Sequence, residues 1–281
     1  MPKPVFYLVL LLAASSCQTQ NGHTYFIIKD QKNRDIFQLD DTLQLELTGS
    51  GAGRRADSAE WLIDGEPVKS GLQLSLPARE LGVGSKKIET LVWQGDKQYE
   101  SATELVILSD TEPERLSYQV RAAFPHDTSA YTQGLFYDRG NLYEGTGRKG
   151  ESMLRVTSLN GRVRQQVALP GDIFGEGVCM LDGRIYQLSW KGRKGFIYNS
   201  SLEKLGEFAY PEPFDGWGLT TDGRYLIVSD GTHRLRYLDP QDSMKIVRTL
   251  GVFDHKNAVK LLNELEYVNG KIYANVYTKD Y

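Results

Sequence analysis

The chain repeats itself, and the repeat limits what it can fold into. Four segments share a strand, a tight glycine turn and a second strand: Gly134–Tyr143, Gly177–Tyr186, Gly218–Leu226 and Glu264–Tyr273. Their turn glycines, 140, 183, 223 and 270, lie 43, 40 and 47 residues apart. A unit of about 40 residues made of several short strands has the period of a propeller blade. The Asp-Gly and Asn-Gly pairs at these turns suit two-residue hairpins, which need positive φ. Helical patterning is nearly absent, and only Asn257–Leu262 reads as a short turn of helix. Blades bury their faces against neighbours, so the ring has to close. Because 11 residues follow Gly270, the fourth unit reads as cut short, and closure is expected to need chain beyond Tyr281.

Upstream the pattern is also β. Tyr25–Ile28, the alternating Leu43–Leu47, Ala59–Ile63 with the turn Asp64-Gly65, Lys87–Trp93 and Leu105–Leu108 predict short strands at sandwich-like spacing. The trace Trp61…Asp64-Gly65…Leu81-Gly82…Ile88…Val92 resembles PKD-like and Ig-like modules, with Trp61 and Trp93 expected in or beside the core. The fold class is therefore all-β. A β-sandwich is expected over 24–110, a proline-containing linker over 111–115 and a propeller over 116–281.

The N-terminus reads as a targeting segment. One positive charge at Lys3 precedes the uncharged apolar run Val5–Ala14, which is too short to span a bilayer, since a span needs about 20 residues. Ala14-Ser15-Ser16-Cys17 resembles a bacterial lipobox, although the family favours Leu or Val where Ala14 stands. Residues 1–17 are thus expected to be a lipoprotein signal ending at the acylated Cys17, followed by a polar tether over 18–23. The expected location is the cell envelope, with the lipid holding the protein to a membrane surface.

Several functions are disfavoured by composition. Lysine plus arginine is 33 against 36 for aspartate plus glutamate, a net charge of −3 with no clustered basic stretch, so nucleic acid is not the expected partner. With only Cys17 and Cys179 present, no disulfide framework supports the fold. Cys179 lies in the apolar run Val178–Leu181 and is expected to be a small buried hydrophobe. The histidines at 23, 126, 233 and 255 fit no zinc spacing. No Ser-His-Asp arrangement, phosphate loop or dinucleotide fingerprint occurs, and no cofactor is implied.

The unusual residues sit where each repeat is entered. They occur in Tyr131-Thr132-Gln133-Gly134-Leu135, Phe174-Gly175-Glu176-Gly177, Tyr186–Trp190, Asp215-Gly216-Trp217-Gly218-Leu219 and Leu262–Tyr267. Matching loops of a propeller meet near its central channel, so Gln133, Glu176, Trp217 and Asn263 are expected to converge. Tyr131, Trp190 and Trp217 would supply flat apolar walls that exclude water. A carboxylate among aromatics, Glu176, would have a raised pKa suited to proton transfer. Gln133 and Asn263 offer amide donors and acceptors. Taken singly, Trp190 and Trp217 as blade core and Glu176 as a solvated loop carboxylate remain open; it is their common register that points to a site.

These motifs, with Glu144-Gly145-Thr146-Gly147, Gly218–Gly223 and Ser229–Thr232, resemble the plant and bacterial glutamine cyclotransferase family from about Leu116 to Tyr281. The resemblance implies a five-bladed propeller that closes N-terminal glutamine of peptides or proteins into pyroglutamate with release of ammonia, without a metal. It implies Glu176 as the glutamate that holds the α-amino group and shuttles protons. Gln133 and Asn263 become polar substrate contacts, and Phe174, Trp190 and Trp217 the aromatic pocket. The chain departs from the family at Tyr131, where Phe is usual, and at Tyr277, where Trp is usual; both keep an aromatic wall. A family lysine would lie past Tyr281. Two other functions remain open: a non-catalytic surface propeller that binds peptides or other ligands in the same cavity, and an adaptor whose N-terminal sandwich does the binding.

Overall fold

The computed structural model describes residues 25–51 and 53–279. The expected signal, the tether and Cys17 lie outside them. The regular structure of the described residues is almost entirely strand. Its one α-helical element is a single turn, α1 (Ala78–Leu81).

The N-terminal strands are β1 (Phe26–Asp30), β2 (Ile36–Gln38), β3 (Thr42–Gly49), β4 (Ser58–Ile63), β5 (Glu66–Ser70), β6 (Gln73–Pro77), β7 (Gly84–Gln94) and β8 (Lys97–Leu108). They form a five-stranded sheet ordered β2-β8-β7-β4-β5 and a three-stranded sheet ordered β1-β3-β6. Alternation in β1 and β4 sends Phe26 and Ala59 inward, where they meet Val92 of β7 in one apolar cluster. Trp61 is fully buried and its indole N–H donates to the Gly71 carbonyl at 2.8 Å. Trp93 is half-buried. The Asp64-Gly65 turn has φ of 52° and 87°, the left-handed pair that a two-residue hairpin requires. By internal contacts the chain divides into two compact units. One holds Gln44–Ser75 and Lys87–Glu104 with the chain up to Arg34; the other holds Asp35–Leu43, Leu76–Lys86 and everything from Leu105 onward.

Thr111–Ala130 carries no strand or helix, and the repeat then begins. The first blade is β9 (Thr132–Asp138), β10 (Asn141–Thr146), β11 (Met153–Ser158) and β12 (Val163–Ala168). The second is β13 (Phe174–Leu181), β14 (Arg184–Trp190), β15 (Lys194–Tyr198) and β16 (Lys204–Ala209). The third is β17 (Leu219–Thr221), β18 (Leu226–Ser229), β19 (Arg234–Asp239) and β20 (Lys245–Gly251). The hairpin β21 (Leu262–Val268) and β22 (Lys271–Val276) makes the part of the fourth unit that the described residues contain. Every blade is antiparallel with its strands in sequence order. The inner strands touch in the cycle β9, β13, β17, β21 and back to β9, so their N-terminal ends surround one axis.

Burial is least in the outermost strand of each blade. The second strands β10, β14 and β18 are nearly all buried, whereas the outer strands β12, β16 and β20 are largely exposed. The apolar clusters straddle successive blades. Tyr143 and Leu154 of the first blade pack with Val178, Ile185 and Phe196 of the second. Leu188 and Phe208 of the second pack with Leu219, Val228 and Leu238 of the third. Ile227 and Leu235 of the third pack with Leu262 and Leu265. A blade thus finishes its core only by stacking on the next.

Two local expectations are corrected. Asn257–Leu262 is not helical. Asp254 accepts at Oδ1 from the amides of Lys256 and Asn257, and its own amide donates to the Asn257 carbonyl, closing a tight turn that takes the donors a helix would need. The third unit's Asp222-Gly223 is not a two-residue hairpin. Leu226 pairs with Thr221 across a four-residue loop, in which Asp222 Oδ1 accepts from Arg224 and Tyr225. In the other units the residue before the turn glycine is left-handed as expected: Arg139 at 46°, Asp182 at 51° and Asn269 at 51°.

Candidate active site

The inner strands depart from regular pairing near their N-terminal ends. Register shifts fall between Gly145 and Thr146 on the strand facing β9, between Gly175 and Val178 on β13, and between Leu262 and Leu265 on β21. β17 starts only at Leu219. Bulges at such places re-aim side chains, and these free Gln133, Glu176, Trp217 and Asn263 from the ladder. Glycines then let neighbouring strands close up. A Cβ on Gly134 would lie 2.5 Å from the Val178 nitrogen, and one on Gly177 would lie 2.5 Å from the Leu219 nitrogen and 2.6 Å from the Trp217 oxygen. A Cβ on Gly218 would collide with the Asn263 carbonyl. The four predicted positions therefore do come together through their backbones, each beside the next.

Three aromatic rings line one side. Phe174 stands edge-on to Tyr131 at 6.1 Å between centroids and to Trp190 at 5.6 Å. Gly147 backs this wall: a Cβ there would meet the Phe174 ring at 2.5 Å and Gln133 Cγ at 3.0 Å, which ties Gln133 to the same wall. Trp217 and Tyr277 form a second edge-on pair at 5.9 Å, with Gly231 against the Trp217 ring. The two groups are joined by the hydrogen bond from the Gly177 amide to the Trp217 carbonyl, 2.8 Å. Tyr131, Trp190 and Tyr277 stay substantially exposed, whereas Glu176 is buried to 6% exposure. Cationic side chains cap both ends of the first wall, Arg148 over Tyr131 at 4.7 Å and Lys191 over Trp190 at 4.2 Å.

Burial pushes the Glu176 carboxyl up to about 9, and the negative charge of Asp215 adds to the shift. At neutral pH the group therefore holds its proton. Asp215 was legible only as part of the loop before Trp217; its charge next to Glu176 emerges from the fold. A second network holds the Tyr131–Gln133 loop. Glu144 is buried and accepts from Arg155 Nη2 at 2.5 Å and Nε at 3.1 Å. Its other oxygen lies 2.6 Å from Thr132 Oγ1 and 2.9 Å from His126 Nε2. Arg155 Nη1 also donates to Asp127 at 2.8 Å, and the Ser129 hydroxyl, then Arg155, hold the Asp127 carboxyl far below the usual range. The Glu144-Gly145-Thr146-Gly147 motif thus fixes the site from behind.

Cys179 is free and buried among apolar neighbours; burial, then Glu264 and Glu266, push its thiol well up, which makes it an inert packing residue. Among the described residues no group of three or more His, Cys, Asp or Glu side chains is placed to hold a metal ion.

A blade-built β fold with a buried carboxyl of raised pKa and two aromatic groups at the entries of its inner strands defines a propeller with a candidate site. The family model for glutamine cyclotransferase matches residues 90–281, and the chain belongs to that family. It is 42% identical over 166 residues to the glutaminyl-peptide cyclotransferase of Arabidopsis thaliana, an alignment covering 58% of this chain and 51% of the relative. It superposes on the crystal structure of Myxococcus xanthus glutaminyl cyclase with a TM-score of 0.50 and 35% identity, covering 55% of this chain and 65% of that one. The chain thus spans about half the length of the curated relative.

Proposed function

We propose that this chain cyclises N-terminal glutamine of peptides or proteins to pyroglutamate with release of ammonia. The carrying observation is Glu176, a buried carboxyl held near pKa 9, two residues from Phe174 and next to Gly177, whose amide donates to the Trp217 carbonyl. The substrate's amine must be neutral to attack, and ammonia must leave protonated. A neutral amine meeting the neutral carboxyl is interchangeable with an ammonium–carboxylate pair, since the amine's own pKa is about 8. As the neutral amine nitrogen attacks the side-chain amide carbon, the Glu176 carboxyl gives its proton to the departing nitrogen and takes one from the attacking nitrogen, so ammonia leaves and Glu176 ends protonated as it began. Ring closure is intramolecular, so the walls of Tyr131, Phe174, Trp190, Trp217 and Tyr277 contribute mainly by holding the folded-back conformer. Gln133 and Asn263 are suited to the substrate's amide and carbonyl groups.

The test is mass spectrometry of a Gln-initiated peptide incubated with the protein and with Glu176→Gln. A loss of about 17 Da, as ring closure with ammonia release requires, should appear with the parent and vanish with the variant. No loss, with both proteins folded, would leave a peptide-binding propeller.

The same reading places the protein at the cell envelope, anchored by lipid on Cys17, with the N-terminal strands as an Ig-like or PKD-like module. The motif Ala14-Ser15-Ser16-Cys17 supports the anchor. Changing Cys17→Ser should move the protein from the membrane to the soluble fraction.

A further inference from the structure

The repeat is broken at one position of the inner strands. Gly134, Gly177 and Gly218 each precede an aliphatic residue of the inner strand's regular ladder, Leu135, Val178 and Leu219. In the fourth unit the corresponding residue, before Leu265, is Glu264. Three glycines at this place admit a neighbouring backbone; the fourth residue instead extends a long side chain. Glu264 Oε1 accepts the Leu135 amide at 3.1 Å, reaching from β21 to β9 across 129 residues of sequence. Its Oε2 is buried and has no hydrogen-bond partner. Burial, with the charges of Glu266 and Glu176, pushes this carboxyl well above the usual range, although the Leu135 amide pulls the other way.

We propose that Glu264 is a positioning residue: its side chain ties the start of β21 to the start of β9 and so fixes Asn263, beside it, and Gln133, two residues before Leu135, at the substrate. A carboxyl left with one orphaned oxygen costs stability and is not explained by packing. The inference rests on the cyclisation reading for the part Gln133 and Asn263 play.

The experiment compares Glu264→Gln, Glu264→Ala and Glu264→Asp in the whole chain. Glutamine keeps the acceptor at the same reach, alanine removes it, and aspartate keeps the acid but falls short. Two readouts are needed: steady-state kinetics on a Gln-initiated peptide, and hydrogen exchange at the Leu135 amide. Glu264→Gln should keep KM and kcat within about 2-fold and the amide protected, whereas the alanine and aspartate variants should raise KM about 10-fold, leave kcat within about 3-fold, and speed the amide's exchange by at least about 10-fold. Should the alanine variant not fold, the aspartate variant carries the comparison. Unchanged KM in a folded alanine or aspartate variant, or an equal defect in the glutamine variant, overturns the proposal. If the parent protein turns over no peptide, the cyclisation reading falls, and the exchange at Leu135 still judges the tie by itself.

Discussion

The Gly177 amide donates to the Trp217 carbonyl at 2.8 Å, so the residue following Glu176 is hydrogen-bonded to the residue that carries the aromatic wall of the next blade. Carboxyl and wall cannot move independently. Because a Cβ on Gly177 would sit 2.5 Å from the Leu219 nitrogen, Gly177→Ala must push the second and third blades apart at the site. We expect a loss of about 1–3 kcal/mol, the usual cost of overpacking, and a fall in kcat/KM larger than the loss of stability explains. Urea unfolding beside steady-state kinetics checks both.

Glu176 makes the rate depend on pH in a defined sense. The productive encounter carries a single proton shared between amine and carboxyl. Below the amine's pKa of about 8 that pair holds one proton too many, and above about 9 ionised Glu176 leaves one too few. The profile of kcat/KM should therefore be a bell with its maximum on the alkaline side. A profile flat from pH 6 to pH 10 would rule out this assignment of the proton.

The same carboxyl should weaken the fold at neutral pH. Its folded pKa is raised from 4.5 to about 9, so between those values the unfolded chain ionises while the native site stays neutral, and stability is lost as pH rises through that window. Glu176→Gln removes the titration. The variant should melt above the parent at pH 7–8, by about 2–4 °C for each kcal/mol gained in a domain of this size, and the difference should shrink toward pH 4. Thermal melts at the two pH values decide it.

Arg155 is buried between Glu144 and Asp127 with three hydrogen bonds to them. Arg155→Ala strands the Glu144 charge in the first blade. Removing one partner of a buried pair costs about 3–5 kcal/mol, and the Tyr131–Gln133 loop, held through Thr132, should loosen with it. A lowered urea midpoint together with a raised KM is the expected pair of results; a KM unchanged in a destabilised but folded variant would confine the network to stability.

Gly147→Ala brings a methyl group within 2.5 Å of the Phe174 ring and 3.0 Å of Gln133. Since Gly147 lies on the wall and not on the proton's path, the substitution should raise KM more than it lowers kcat. Peptide kinetics resolve the two.

Much of this was written in the chain. The 40-residue spacing of the glycine turns announced the blades, because a two-residue hairpin leaves a left-handed residue before its glycine, as Asp182 and Asn269 are. The site loops were legible for the same reason: four entries in one register have to meet where the inner strands meet. What the sequence hid was relational. Nothing about Asp215 by itself shows that its charge bears on Glu176. Glu264 breaks the glycine pattern of the other three units, but its tie to the Leu135 amide emerges only from the fold. The short strands β2, β5 and β6 escaped notice because β5 is exposed throughout and β2 is three residues long, so neither shows apolar alternation. The helical turn expected over 257–262 was misplaced because Asp254, three residues before it, captures the local amides.

The apolar clusters that join the blades belong to pairs of blades, and the hydrogen-bonded ladders belong to single blades. Under mechanical tension along the chain these two kinds of bonding would yield separately. Each blade would peel from its neighbour as one seam opens, and the freed sheet would then unzip strand by strand. Stretched between two handles, the repeat should give a sawtooth of separate ruptures, each releasing a contour length close to one blade.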